Sequence, residues 1–436
     1  MKIALINLGC SKNLVDSEIM LGILSQAGYN VGLDYDNADI IIINTCSFIK
    51  DAEKESVKAI MGQINSNKKI IVVGCLAQKY GKELLELIPE ISAIVGTSDI
   101  GNIADIVKKV ADKIECSYNK VSKNLTYLQP DDISRFYITV GPSSYIKIAE
   151  GCDCCCSYCV IPILKGRYRS RKIESIVNEA KSLAENGVSE IVLIAQDITS
   201  YGIDLYDKLS LTDLLCELEK IDEINWIRLM YTYPMYVNDD LINCIANSKK
   251  VLKYLDIPLQ HASPKILKLM NRPDIDLDLF IDKLRAKIPE IIIRTCFIVG
   301  FPGETEEDFE YLYNFVKKKK FDRLGVFEYS KEETTIAARF KDHVTSKIKK
   351  QRRKKLMELQ HDISLKKHEA LVDKKMEVLL EKFSASGKGL GRSYMDAPEI
   401  DGMVYVNSVE DYLPGDIIPV KITKATAYDL YGVVEN

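Results

Sequence analysis

Residues 150–159 read Glu-Gly-Cys-Asp-Cys-Cys-Cys-Ser-Tyr-Cys. Within them Cys152, Cys156 and Cys159 form a C-x3-C-x2-C pattern. Three thiolates at that spacing can hold three irons of a [4Fe–4S] cube and leave the fourth iron open. An open iron can bind a substrate or cofactor, which a cluster with four cysteine ligands cannot do. Cys154 and Cys155 share the segment, but neither opens a complete triplet. Tyr158 lies four residues after Cys154, and Pro162 stands where Cys155 would need its third ligand. The competing readings are a zinc knuckle and a disulfide cluster. Zinc sites usually join one C-x2-C to a second pair, often with histidine. No histidine lies nearby, in a chain that has only 4. The pattern favours iron and sulfur.

A second set of thiols emerges from the elements that precede them. Apolar runs at 2–7, 38–44 and 69–73 read as strands, and 17–27, 53–63 and 79–87 as helices. This alternation predicts a parallel, Rossmann-like sheet. Cys10, Cys46 and Cys75 each follow one of the three strands. Ligands of open parallel sheets bind outside the carboxyl ends of the strands, so the three thiols are expected at one edge. Each could instead be an ordinary small buried residue. Three at equivalent strand ends, each beside a small or polar residue (Gly9, Thr45, Gly74), favour a second three-cysteine cluster, again with an open iron.

The whole chain sets the frame. Its 436 residues are 47% hydrophobic and 28% charged, within the soluble globular range and enough for two to four domains. Its 12 cysteines are too few for a disulfide scaffold of this length. Clustered cysteines without a secretory signal point to metal or redox chemistry in a reducing cytoplasm. No apolar run reaches the length of a membrane span. A net charge of −4 argues against a general nucleic-acid coating protein, while leaving local basic patches open.

The cysteine loop resembles the signature of the radical S-adenosylmethionine (SAM) enzymes. Gly9-Cys10-Ser11-Lys12-Asn13, Asn44-Thr45-Cys46 and Gly74-Cys75-Leu76-Ala77-Gln78 are similar to the N-terminal domain of the methylthiotransferases. The match covers essentially the whole chain. The resemblance implies two [4Fe–4S] clusters, one on Cys152, Cys156 and Cys159, the other on Cys10, Cys46 and Cys75. It implies that SAM binds the open iron of the first cluster and is split to a 5′-deoxyadenosyl radical. Sulfur would come from a species on the second cluster, and a further SAM would methylate it. Cys154 and Cys155 depart from the family, which usually has polar or basic residues there.

Beyond the loop, strand-like segments at 145–149, 191–194, 226–230, 254–257, 291–299 and 324–329 alternate with helical ones such as 173–186. A full or partial TIM-like α/β barrel is expected, with its site at the C-terminal strand ends. Candidates there are Gln196, Asp197, Tyr233, Gln260, His261, Gly300 and Glu328. In the family the position of Tyr158 is aromatic and lies near the adenine. Gly300-Phe301-Pro302-Gly303-Glu304 is similar to the family's glycine-proline motif along the adenosine, so Gly300, Pro302 and Gly303 join Tyr158, Gln196 and Asp197 as expected SAM contacts. A plain strand-to-helix turn, with acidic residues from Glu304 to Asp308 starting the helix, explains the same residues. His261 reads equally well as a pocket contact and as a satisfied structural histidine. His343, His361 and His368 are expected to face solvent. Cys116, Cys216, Cys244 and Cys296 lack partner spacing.

Residues 347–370 read as a long amphipathic helix. Its basic run at 349–355 suits phosphates or simply a solvated face. Short strands at 375–381, 389–393, 402–405, 417–427 and 431–434 then predict a small antiparallel, OB-like barrel. It resembles the TRAM domain, usually an RNA-binding or substrate-docking module. The expected domains are 1–120 (methylthiotransferase N-terminal), 138–368 (radical SAM core) and 371–436 (TRAM). Residues 391–402 (Gly-Arg-Ser-Tyr-Met-Asp-Ala-Pro-Glu-Ile-Asp-Gly) and 428–432 look like the family branch that modifies an aspartate of ribosomal small-subunit protein twelve, giving 3-methylthio-aspartate. Asp396, Glu399, Asp401, Glu410, Asp411 and Asp416 suggest an acidic face suited to a basic ribosomal protein rather than to RNA. The expected partners are that protein, free or in its subunit, and an electron donor, with RNA contact through the TRAM domain left open and no membrane. The rivals are a transfer-RNA methylthiotransferase, a radical SAM methylase without sulfur insertion, and a non-enzymatic iron–sulfur or zinc protein.

Overall fold

A parallel strand covered by helices on both faces must be apolar on both. The run Ile40–Thr45 meets that demand, with every residue buried. The computed structural model describes residues 1–112, 118–131, 135–138 and 141–435, and Cys116 lies outside them. The chain divides into two compact units. One comprises Met1–Val140, Ala149–Cys155 and Cys159–Arg171. The other comprises Gly141–Ile148, Cys156–Tyr158 and Lys172–Asn436.

In the first unit, β1 (Lys2–Asn7), β2 (Asn30–Gly32), β3 (Ile40–Thr45), β4 (Lys69–Gly74), β5 (Ile91–Val95) and β6 (Tyr118–Lys120) pair in parallel in the order β2-β1-β3-β4-β5-β6. Helices α1 (Ser11–Gln26), α2 (Lys50–Gln63), α3 (Cys75–Leu87) and α4 (Ile103–Ala111) connect them. Ile40, Ile42, Ile71 and Val73 pack on one face of the sheet with Met20 and Ile106. Ile41, Ile43, Ile70 and Val72 pack on the other with Ile60 and Leu84. The strand order reverses direction between β1 and β3, where doubly wound sheets open a crevice.

Two helices begin earlier than expected. Helix α1 starts at Ser11 rather than residue 17, because its buried residues include Asn13, Asp16, Ser17 and Glu18. Polar side chains on the inward face erase the periodicity by which a helix is read. Helix α3 starts at Cys75 rather than residue 79, and Gly81 interrupts it with non-helical angles.

The chain supplies β7 (Ser143–Lys147) to the second unit, then returns to the first for a short antiparallel ladder, β8 (Ala149–Glu150) with β9 (Arg169–Ser170). The loop 151–160 and helix α5 (Ile161–Lys165) lie between these two strands. In the second unit, β10 (Glu190–Ile194), β11 (Trp226–Leu229), β12 (Val251–Asp256), β13 (Ile292–Val299) and β14 (Arg323–Glu328) join β7 in a six-stranded parallel sheet. This is the partial form of the expected α/β barrel. The long helix Ser346–Glu369 leads to a closed barrel of β15 (Lys375–Phe383), β16 (Gly389–Ser393), β17 (Val404–Asn407), β18 (Ile417–Ala425) and β19 (Leu430–Val434), ordered β15-β16-β17-β19-β18. One departure from the antiparallel expectation is the parallel pair of β17 and β19.

Two surface assignments need correction. His368 is buried, with Nδ1 2.9 Å from the Thr426 carbonyl and Nε2 3.0 Å from Arg323. Asp396 is also buried and pairs with Arg323, while the largely enclosed Asp401 accepts from the Tyr254 hydroxyl at 2.6 Å and faces Arg294 at 3.5 Å. Both carboxylates turn toward arginines of the parallel sheet, so the acidic surface shrinks to Glu399, Glu410, Asp411 and Asp416. Among the described residues, no helix is long and apolar enough to cross a membrane.

Candidate functional site

In the first unit the three predicted thiols lie at the carboxyl edge of the sheet. Cys10 is the N-cap of α1, Cys46 follows β3, and Cys75 opens α3. The polar residues of α1 set the loops. Asn13 Nδ2 donates to the Leu8 and Thr45 carbonyls at 3.0 and 3.1 Å, and Asn44 Nδ2 donates to the Asn13 carbonyl at 2.8 Å. The loops after β1 and β3 are thereby tied together. Ser56 pins Cys46 from both sides, accepting from its N–H at 3.0 Å and donating to its carbonyl at 2.8 Å. Gly9 adopts φ +97°, and a β-carbon on it would lie 2.8 Å from Cys46 Cβ. Only glycine lets the Cys10 loop come this close to Cys46.

Cys75 is buried, packing with Val160 and Leu164. Burial pushes its thiol up to about 12. The Lys165 ammonium opposes that shift, while the Cys46 and Cys10 thiols reinforce it. Lys165 itself is buried, 3.0 Å from Asp16 and 3.6 Å from Glu150. This triad joins α1, the strand before the cysteine loop and the helix after it. Sequence reading passed over Lys165, Asp16 and Glu150; three charged residues far apart in sequence gave no signal. Among the described residues no three His, Cys, Asp or Glu side chains are gathered as around one metal ion. A single zinc ion draws its sulfur ligands to about 2.3 Å, whereas a cube spreads them over separate irons.

The loop of the second pattern is held by its own backbone. Cys152 N–H donates to the Gly166 carbonyl at 3.1 Å. Gly151 has φ +85°, and a β-carbon there would lie 2.0 Å from the Arg167 carbonyl oxygen. Cys154 N–H points to Cys152 Sγ at 3.5 Å, and Ile161 N–H to Cys159 Sγ at 3.5 Å. Amide donors of this kind stabilise thiolates. Cys154 is half-buried, and Cys155 is exposed with φ +49°.

Within the second unit, Cys156 Sγ lies 3.9 Å from the Arg272 guanidinium, which also stacks 4.3 Å over the Tyr233 ring. Arg272 is a second residue that sequence reading missed. Tyr158 meets Phe301 edge-on, with ring centroids 6.4 Å apart. Two of the expected cofactor-binding segments, Tyr158 and the turn Gly300–Gly303, are therefore neighbours. The turn is built by Glu304, whose carboxylate accepts from Gly300 N–H at 2.6 Å and Phe301 N–H at 3.1 Å and pairs with Arg352 at 2.6 Å. Thr305 and Asp308 then form a capping box that starts the next helix. The Lys349 side chain fills the space beside Gly300, and Pro302 is buried.

Gln196 is half-buried just past the end of β10. Asp197 is buried, and its carboxylate accepts from Thr199 N–H at 2.8 Å and from the Ser200 hydroxyl. These bonds shape the loop after Gln196. Gln260 has φ +72° and bridges to β13 through its own N–H and carbonyl. Glu328 is half-buried at the end of β14. His261 is fully buried. Its Nδ1 accepts from Ser263 N–H at 2.9 Å, and Nε2 stands 3.8 Å from Glu304. Burial lowers its pKa to about 3, against the pull of Asp308, which keeps the ring neutral, and the buried Nε2 has no hydrogen-bond partner among the described residues.

Residues 146–316 match the radical SAM superfamily, 2–96 the uncharacterized protein family UPF0004, and 372–434 the TRAM domain. The fold resembles that of the radical SAM methyltransferase TsrM from Kitasatospora setae, solved with cobalamin and a [4Fe–4S] cluster. The TM-score is 0.56 at 14% identity, over 77% of this chain and 76% of that one. The ribosomal protein uS12 methylthiotransferase RimO of Caldanaerobacter subterraneus subsp. tengcongensis is 49% identical, across 99% of both chains. The RimO of Clostridioides difficile (strain 630) is 48% identical, across 100% of this chain and 99% of its own. On this full-length kinship the chain belongs to the RimO family of radical SAM methylthiotransferases.

Proposed function

We propose that this chain adds a methylthio group to the β-carbon of one aspartate of ribosomal protein uS12, using two [4Fe–4S] clusters and SAM. The substrate reading rests on the full-length similarity to uS12 methylthiotransferases. The position of Cys10, Cys46 and Cys75 at the carboxyl edge of one sheet supports the sulfur-inserting part. A radical SAM enzyme that only methylates would have no use for that set.

The residues fit such groups. Cys75, closed off from water and beside an ammonium, is poorly placed as a free thiol and well placed as a metal thiolate, since metal binding deprotonates a thiol outright. Cys10, Cys46 and Cys75 would hold one cluster, and Cys152, Cys156 and Cys159 the other. When bound, the clusters and SAM supply the radical, the sulfur and the methyl group. Such chemistry is needed because the β-hydrogen of an aspartate is beyond ordinary side-chain bases, which work best near the operating pH. The protein's own residues bind and orient. Tyr158 and the Gly300–Gly303 turn would form one wall of the SAM pocket, with Gln196 at another strand end and Asp197 shaping the loop behind it. Arg272 would place a fixed positive charge at the Cys156 thiolate. Holding reactants in line and excluding water are what such a site contributes.

Replacing Cys152, Cys156 or Cys159 by Ala should abolish 5′-deoxyadenosine formation. Replacing Cys10, Cys46 or Cys75 should spare it and stop sulfur insertion. The direct test is the mass of uS12 after anaerobic incubation with reconstituted enzyme, SAM and a reductant. A gain of one methylthio group on an aspartate is expected. An unchanged mass with 5′-deoxyadenosine still formed would overturn the substrate and turn attention to transfer RNA.

A further inference from the structure

The six-stranded parallel sheet borders a cavity at the end opposite Gln196, Gln260 and the Gly300–Gly303 turn. Arg294, near the start of β13, and Arg323, the first residue of β14, lie on its wall. The long helix Ser346–Glu369 closes one side, and residues 400–402 and 427–429 of the C-terminal barrel close another. Its volume is about 310 Å³. That is the lower end of the range for small-molecule sites, about 300 to 1,000 Å³.

Two lining residues carry a polar atom with nothing to bond. Gln360 is 4% exposed, and its Nε2 donates to the Phe321 carbonyl and the Ser364 hydroxyl, both at 3.0 Å. Its Oε1 is buried without a partner among the described residues. Arg323 directs Nη1 to the Asp322 carbonyl and His368, and Nη2 to Asp396. Its Nε is likewise buried and unpaired. An unmade bond of this kind costs more than a made one gains. The charges on the wall balance. Asp401 and Asp429 stand there with Arg294 and Arg323, and Asp256 and Asp396 pair with the same two arginines. An anion would gain no net attraction, so the fitting ligand is neutral. Leu324, Met357 and Ile400 make the wall partly apolar. The exposed rings of His361 and Tyr428, with centroids 6.0 Å apart, add flat surfaces.

We propose that this cavity binds a free adenine nucleoside. Adenine carries an amino donor beside a ring-nitrogen acceptor on one edge, where guanine offers two acceptors. The amino group donates to Gln360 Oε1, and the ring nitrogen accepts from Arg323 Nε. His361 and Tyr428 pack on the base. Resting on the radical SAM reading above, the occupant in turnover is 5′-deoxyadenosine, which each SAM cleavage releases. The cavity lies apart from the expected SAM contacts, so it holds this product without displacing SAM.

The test is equilibrium dialysis of radiolabelled 5′-deoxyadenosine against the reconstituted enzyme. Clusters are kept oxidised and SAM is in excess, so that the SAM pocket is filled and uncleaved. One bound equivalent is expected. Gln360→Met and His361→Ala/Tyr428→Ala should each weaken it about tenfold or more. Adenosine should compete, and purine riboside, which lacks the amino group, about tenfold less well. No bound equivalent in excess SAM would overturn the proposal. So would equal competition by purine riboside, or unchanged affinity in the double alanine variant, whose replaced side chains are exposed, when it melts like the parent. Methylthiolation of uS12 without this binding would remove the site and leave the function. Binding without methylthiolation would do the reverse.

Discussion

At the scale of single residues, the proposed chemistry rests on six thiols whose surroundings differ. Cys75 is the most enclosed, and the Lys165 ammonium is the positive charge that acts on it. The triad of Lys165, Asp16 and Glu150 is buried throughout. Removing one partner of a buried pair leaves an uncompensated charge and costs about 3 to 5 kcal/mol. Lys165→Met should therefore lower unfolding stability by about that much, while Lys165→Arg should recover most of it. A role at the N-terminal cysteines also predicts an effect on iron. In a Cys152→Ala/Cys156→Ala/Cys159→Ala background, Lys165→Met should reduce the iron retained after reconstitution, and Lys165→Arg should not. Equal iron in the two variants would reduce Lys165 to a folding residue. The strand-end placement of Cys10, Cys46 and Cys75 was legible in the sequence because strand ends are local facts. Asn13, Ser56, Lys165 and Arg272 were not, because each acts on a loop that only the tertiary fold brings to it.

At the scale of elements, the strands were easier to read than the helices. A strand such as β3, buried on both faces, is an unbroken apolar run. Helix α1 carries its polar side chains inward, toward the cysteine loops, and so reads as irregular. The same inversion occurs where the two barrels join. Glu190, the first residue of β10, is fully buried between Arg228 at 2.7 Å and Arg392. Burial pushes its carboxyl up, but Arg392 and Arg228 together outweigh burial and bring it down to about 2. The folded-state pKa is thus depressed below the unfolded one. The corresponding stability is present above the unfolded value near 4.5 and is lost as pH falls toward about 2. Urea unfolding of the parent should show that loss across this window. Glu190→Gln should be less stable at neutral pH by about 3 to 5 kcal/mol, with a shallower dependence on acid. An unchanged acid limb would assign the loss to other carboxylates.

At the scale of the molecule, the residues that mark the family branch turn out to be the fastening of the C-terminal barrel. Arg392 bonds Ser143 at 2.8 Å and pairs with Glu190, Asp396 pairs with Arg323, and the Tyr394 carbonyl accepts from Arg228 at 2.9 Å. Asp401 reaches Tyr254 and Arg294. A sequence shows none of this, because the partners lie far apart along the chain: 202 residues for Arg392 and Glu190, and 73 for Arg323 and Asp396. Read locally, Asp396 and Asp401 are surface acids. In the fold Asp396 pairs with the buried Arg323, and Asp401 adds a second acid to Arg294, which Asp256 of the sheet meets at 2.7 Å. The C-terminal barrel is then no detachable module. A chain ending at residue 370 would leave the buried Arg323 without Asp396 and take one partner each from Glu190, Arg228 and Arg294, besides uncovering the sheet end they lie on. That shortened chain should be poorly soluble and lack a cooperative melting transition by circular dichroism. A soluble fragment melting as sharply as the full chain would mean that the sheet tolerates those charges alone. The barrel's role would then narrow to the cavity it helps to close.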